Sequence, residues 1–142
     1  RRKFVFSIVF LGASRWPPQI VIRYAMRWLS DIIRRKKVTP EEEADYRQRL
    51  HVERHMYAWT LVHTAGVEEA GAATRAEERY KLLPASDRYR EMIFHDEAWH
   101  IAMLDLHGNC YWHREPGLEK SPEAYQQELK RVWAESRRSG IA

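Results

Sequence analysis

The chain of 142 residues has one cysteine, Cys110, which excludes an internal disulfide and a cysteine-rich zinc site. Glycine and proline are scarce, at six each, a shortage that favours helices over a turn-rich sheet protein. The first thirty residues contain no acid. The apolar run over residues 4–11 is far shorter than the roughly 20 residues that a membrane-spanning helix needs. A phosphate-cradling glycine pattern, an internal repeat and a low-complexity segment are all missing.

Aromatic and charged residues are what the chain has in quantity. Six Trp and seven Tyr supply large contact areas of the kind enriched at interfaces. The length suits one domain with a single modest core. Net charge is +4, but residues 1–38 hold ten Lys or Arg against a single acid, Asp31. That segment is therefore at +9 and the remainder at −5. Such asymmetry points to a basic arm that meets an anionic surface, whether lipid headgroups, nucleic acid or acidic protein. The division expected is a basic N-terminal arm with an amphipathic helix over 1–38, followed by a helical domain over 39–142.

Arg-rich, acid-poor and amphipathic, residues 1–13 have the look of an organelle transit peptide; a docked arm or a buried strand fits their periodicity as well. Trp16-Pro17-Pro18 is a break. Residues 19–37 then read as a helix with Val21, Ala25, Trp28, Leu29 and Ile32 on one side and Arg23, Arg27, Arg34 and Arg35 on the other. Thr39-Pro40-Glu41-Glu42 carries a capping box with Pro at the first helical position. The helix that it starts is expected to run to about Thr64 and stop at Gly66. Its wide apolar face, a stripe of Tyr46, Leu50, Tyr57 and Leu61 with Val52, Met56 and Trp59 beside it, implies burial on more than one side. Residues 65–76 read as a loose connection or a short helix. Pro84 and a cap at Ser86 or Asp87 predict a long central helix to His107, stopped by Gly108, with Tyr89, Met92, Ile93, Trp99, Met103 and Leu106 on one broad face. Residues 109–120 form a loop with Tyr111 and Trp112 as anchors, and Ser121-Pro122 opens a last helix with Tyr125, Leu129, Val132 and Trp133 in its stripe.

Several groupings invite a chemical reading. His51 and His55 stand at i and i+4, a spacing that can share a metal, but Glu53 is one place too late for the peptidase pattern. Glu97 and His100 form one Glu-x-x-His; a di-iron bundle needs two of these plus a Glu from each of two other helices. Asp105 with His107 lacks a nucleophile, and Ser86 lacks a base. Cys110 with His113 is a thin basis for a thiol enzyme. A solvated or interfacial polar face accounts for these, and a metal-dependent helical bundle using His51, His55, Glu97 and His100 is the rival reading.

From about Trp59 to Arg138 the order of features resembles the small ubiquinone-binding-protein subunit of the mitochondrial cytochrome bc1 complex. The matching features are Gly66 with Glu68-Glu69, Leu83-Pro84, a central helix containing Met92 and Ala98, Trp112, and Tyr125 with the charged tail over 128–138. The chain departs from that pattern in having Glu-Glu for Asp-Asp, no second Leu-Pro, a less basic central helix and a longer N-terminal region. The resemblance implies a non-catalytic accessory subunit on the matrix side of the inner membrane, with no cofactor of its own, packed against cytochrome b and the core subunits.

The expectation is thus an all-α protein of about four principal helices with an ordered basic arm, serving as a structural or assembly subunit. Contact with anionic lipid or acidic protein is expected at Trp16, Arg23, Arg27, Trp28, Arg34, Arg35, Lys36 and Lys37. Partner-surface anchors are expected at Trp99, Tyr111, Trp112 and Trp133. Other addresses open to such a chain are the NADH dehydrogenase, the ATP synthase and, through RNA contacts, the ribosome.

Overall fold

The computed structural model describes residues 38–139. They belong to the second of two compact units, residues 1–37 and 38–142. The helix expected over 19–37 lies outside the described residues, as do Trp16, Arg23, Arg27, Trp28, Arg34, Arg35, Lys36 and Lys37.

Within the described residues the fold is all-α. Helix α1 spans Pro40–Ala65, α2 Glu69–Arg79, α3 Ala98–His107, α4 Tyr111–Arg114 and α5 Glu123–Ser139. Two 3-10 turns, Arg90–Phe94 and Pro116–Leu118, lie between them. Four of these helices are long, but the set differs from the one expected. Helix α2 takes its place among them from a stretch that reads as a loose connection or a short helix.

Helix α1 organises the unit. The Thr39 hydroxyl accepts from the Glu42 N–H at 3.2 Å, and the Glu42 carboxylate accepts from the Thr39 N–H at 2.9 Å, so the capping box is complete. Glu41, Glu42 and Glu43 lie in the first turn, where the helix dipole favours negative charge. At the other end Gly66 adopts a left-handed φ of 63° and returns its N–H to the Val62 carbonyl at 3.0 Å. The 26 residues make a rod of about 39 Å. Its buried residues, from Val52 through Tyr46 to Leu61, cover about half the circumference at ~100° per residue.

The other long helices all pack on that rod. Helix α2 approaches through Ala72 and Ala76, one turn apart and small enough for close backbone contact. Helix α3 is buried on most of its surface through Ala98, Trp99, Ile101, Ala102 and Met103. Helix α5 lays down a stripe of Tyr125, Val132 and Ser136, with Leu129 and Trp133 partly buried beside it. Val52, Met56 and Leu61 are almost wholly enclosed, each contributing about 1.5–3 kcal/mol from apolar burial.

The long central helix expected from Ser86 or Asp87 to His107 is not formed as one element. The Asp87 carboxylate accepts from the Tyr89 N–H at 2.8 Å, a local turn that competes with helix. Arg90–Phe94 is a 3-10 turn, Glu97 is extended at φ −61°, ψ 145°, and only Ala98–His107 is α-helix. Met92 and Ala98, joined in one helix by the resemblance, therefore belong to separate elements. The long-range hold of α1 on Arg90 and Phe94 outweighs the local helical preference of this stretch.

Candidate interaction surface

Residues 81–97 form a strap across α1, and α1 pins it at several points. The Tyr46 hydroxyl accepts from the Leu83 N–H at 3.3 Å. The Arg90 guanidinium donates through Nη1 to Glu43 Oε2 at 2.8 Å and lies over the Tyr46 ring at 3.5 Å from its centroid. Phe94 packs on Tyr46 with ring centroids 5.3 Å apart. One turn further along α1, Arg49 donates to the Phe94 carbonyl at 3.0 Å and covers the Phe94 ring at 4.6 Å. Arg54 donates to the Tyr80 carbonyl at 2.8 Å where the strap leaves α2. The strap is thus held through side chains rather than by regular backbone pairing.

The strap shows solvent a mixture of charged and apolar side chains, with Lys81, Arg88, Glu91, His95, Asp96 and Glu97 among the exposed ones. Leu82, Tyr89 and Met92 are the exposed large hydrophobic side chains among the described residues, at 49%, 53% and 63%. All three lie on these seventeen positions. Beside Met92 runs a groove of about 280 Å³, with Met92, Ile93 and Ile101 as its apolar wall and Arg79, Tyr80 and Asp96 completing its lining. Arg88 covers the Tyr89 ring at 4.4 Å, where a cation over an aromatic face gives a polar border to the patch.

Glu43 sits where the strap meets α1. Its hydrogen bond with Arg90 holds its carboxyl below the usual value against the small effect of burial, and Arg47 at 3.0 Å adds to that.

A second polar cluster lies at the start of α3. Glu97, in the cap position, makes no side-chain cap. Trp99 instead donates its N–H to the Tyr125 hydroxyl of α5 at 3.3 Å, and the Ala98 backbone meets Glu53 of α1. Burial pushes the Glu53 carboxyl up to about 6, aided by the Glu97 charge and opposed by Arg49 and the Ala98 hydrogen bond. Tyr80 and Tyr125 are pushed above the ordinary phenol value by burial, with the Glu53 charge adding to it. The Tyr80 hydroxyl is buried without a hydrogen-bond partner.

The residues singled out for chemistry are separated. His51 is exposed, while His55 reaches α5 and meets Glu128 at 2.6 Å. His100 is bonded to the Tyr111 hydroxyl at 2.9 Å. Among the described residues no three side chains of metal-ligating type converge. Cys110 is exposed, at a left-handed φ of 59°.

Two expected surface anchors prove to be interior. Trp99 is 4% exposed, its indole N–H donating to the Leu118 carbonyl at 2.9 Å and its ring edge-on to Tyr125 at 5.7 Å. Tyr111 is 1% exposed and packs against His100 and Trp112. Both serve the chain's own core, because the loop after α3 folds back over it. Trp112 and Trp133 are half-buried against the same core. Tyr89 and Met92, expected on the apolar face of the central helix, are exposed instead, and Leu82 lies in the stretch that leads into it. Three large apolar residues in a segment rich in Asp, Arg and Glu were the signal for this surface.

No protein-family model matches the chain, and no curated protein or solved structure is significantly similar to it.

Proposed function

We propose that the chain is a non-catalytic structural or assembly subunit that binds other subunits of a large complex through the strap. The observation that carries this reading is the concentration of Leu82, Tyr89 and Met92 on one pinned segment. A segment fixed by Glu43, Tyr46, Arg49 and Arg54 presents its apolar groups without ordering a mobile loop on binding, which lowers the entropy cost of association. Helices packed on one rod give a stiff body behind it.

The address we propose is the mitochondrial respiratory chain, on the matrix side of the inner membrane, with cytochrome bc1 as the specific complex. Gly66 with Glu68-Glu69, Leu83-Pro84, Trp112, Tyr125 with the charged tail, and the basic segment over 1–38 support it, while the central helix of that pattern is broken in this chain. No helix of the described residues is long and apolar enough to cross a membrane, so this unit would attach peripherally. The basic segment is the part suited to anionic lipid.

Purification of the tagged full chain in mild detergent, with mass spectrometry of what accompanies it, tests this. Cytochrome b and core subunits in fixed proportion are the expected companions. Ribosomal proteins, with association that weakens steeply in salt, would move the chain to an RNA-containing assembly. A chain recovered alone would overturn the subunit reading.

A further inference from the structure

Arg90 is buried with part of its hydrogen-bonding capacity unused. Its side chain is 6% exposed, and only Nη1 has an acceptor, the Glu43 carboxylate. Nε and Nη2 are buried and have no hydrogen-bond partner. These two nitrogens lie along one edge of the planar guanidinium, the edge that grips a carboxylate with two parallel hydrogen bonds. A buried donor left without an acceptor is costly, and a charged one more so. The Tyr46 face at 3.5 Å stabilises the cation but accepts no hydrogen bond at that edge.

We propose that the partner engaging the strap presents a carboxylate flanked by apolar side chains, and that this carboxylate takes the Nε/Nη2 edge of Arg90. The inference rests on the reading of the strap as an interaction surface and names the chemistry of what it binds. Three features adjoin Arg90, along the chain or through Tyr46. Tyr46 lies beneath Arg90 and also accepts from the Leu83 N–H, so Arg90 and the segment beside Leu82 meet at one ring. Tyr89 and Met92 flank Arg90 in the chain and are exposed. Arg90 and Arg47 both pair with Glu43, so these three groups together carry a net charge of +1, which takes one negative charge and disfavours a phosphate dianion. Because Nε and Nη2 are covered in the free chain, the carboxylate enters as the 3-10 turn shifts, a local induced fit.

The test is a titration of the purified full chain with acetyl-Leu-Glu-Leu-amide and with acetyl-Leu-Gln-Leu-amide, followed by NMR of the arginine Nε–H groups and methionine methyls. The Glu peptide is expected to move the Arg90 Nε–H and the Met92 methyl with one saturable curve. The Gln peptide should bind about tenfold more weakly, having lost the charge-assisted pair. Arg90→Lys, which keeps the charge and loses the fork, should erase the difference between the two peptides. Should that variant not fold, Met92→Ala serves, and it should weaken the Glu peptide while sparing the rest of the spectrum. No shift with the Glu peptide, or equal response to both peptides, would overturn the inference. Co-purification bears on the other question: partners recovered with wild type alongside equal peptide responses would leave the subunit reading standing and remove only the carboxylate.

Discussion

The Arg90 guanidinium lies 3.5 Å from the centroid of the Tyr46 ring, across 44 positions of sequence, and this contact fixes the strap to α1. It joins a buried cation, an aromatic face and the Glu43 carboxylate at 2.8 Å. The position of the only large exposed apolar groups among the described residues follows from it. Glu43→Gln should therefore loosen the strap and lower Tm at neutral pH. The Glu43 carboxyl titrates below its ordinary 4.5, so its contribution is present above that value and fades as pH falls through the lower folded one. Thermal melts of wild type and variant should differ at pH 7 and converge in acid.

Glu53 has the opposite sign. Its carboxyl is raised from 4.5 to about 6 in the folded chain, so its contribution to stability is fully present below 4.5 and is lost as pH rises through 6. At pH 7 the buried charge is a burden of up to about 2 kcal/mol. Glu53→Gln, which keeps an acceptor for the Ala98 N–H, should raise stability at pH 7 and flatten the slope of stability between pH 5 and 7. Denaturant melts across that range give the comparison.

The clasp between α1 and α5 is the third titrating feature. Glu128 is held down to about 2, chiefly by Arg131 and then by His55 against the effect of burial. Its contribution is present above 4.5 and disappears as pH falls toward 2. Glu128→Gln should destabilise the chain at neutral pH and leave acid stability unchanged, and helical circular dichroism on heating reads both.

Core and strap should separate in their response to truncation. Leu61→Ala, at a position 1% exposed, should cost about 2–5 kcal/mol through lost burial and the cavity left behind. Leu82→Ala, at 49% exposure, should change stability by no more than about 0.5 kcal/mol and yet weaken partner association. Urea melts together with recovery of partners from detergent extracts distinguish the two effects.

Gly66 reports on backbone alone. Its φ is 63°, and a Cβ there would meet nothing within 4 Å, so Gly66→Ala should cost about 1 kcal/mol from the left-handed conformation without any steric clash. A downward shift in Tm with an unchanged denaturant slope is the expected signature.

The parts of this fold legible in the sequence are those decided locally. Thr39, Pro40 and Glu42 announce the start of α1, and Gly66 its end, because capping is settled within a few residues. The all-α class follows from helical periodicity, and the stripe from Tyr46 to Leu61 shows that α1 is buried broadly. Other features depend on partners far along the chain. The stretch 86–97 has helical spacing, but Arg90 and Phe94 are drawn to Glu43, Tyr46 and Arg49, and the helix breaks. Trp99 and Tyr111 look like surface anchors until Leu118 and His100 enclose them. Helix α2 is easily missed because its contact with α1 consists of Ala72 and Ala76, residues that carry little hydrophobic signal. The strap surface was hidden for another reason: its composition holds the apolar residues, but their exposure follows from the long-range hold of α1 on Arg90 and Phe94.

The most direct measurement is partner recovery with the full chain carrying Met92→Ala and Leu82→Ala together, set beside wild type in one detergent extract. Wild type should come out with membrane-complex subunits in fixed proportion, and the double variant, equally stable by melting, should lose most of them. Equal recovery by a folded variant would contradict the account, as would a wild-type chain that emerges alone.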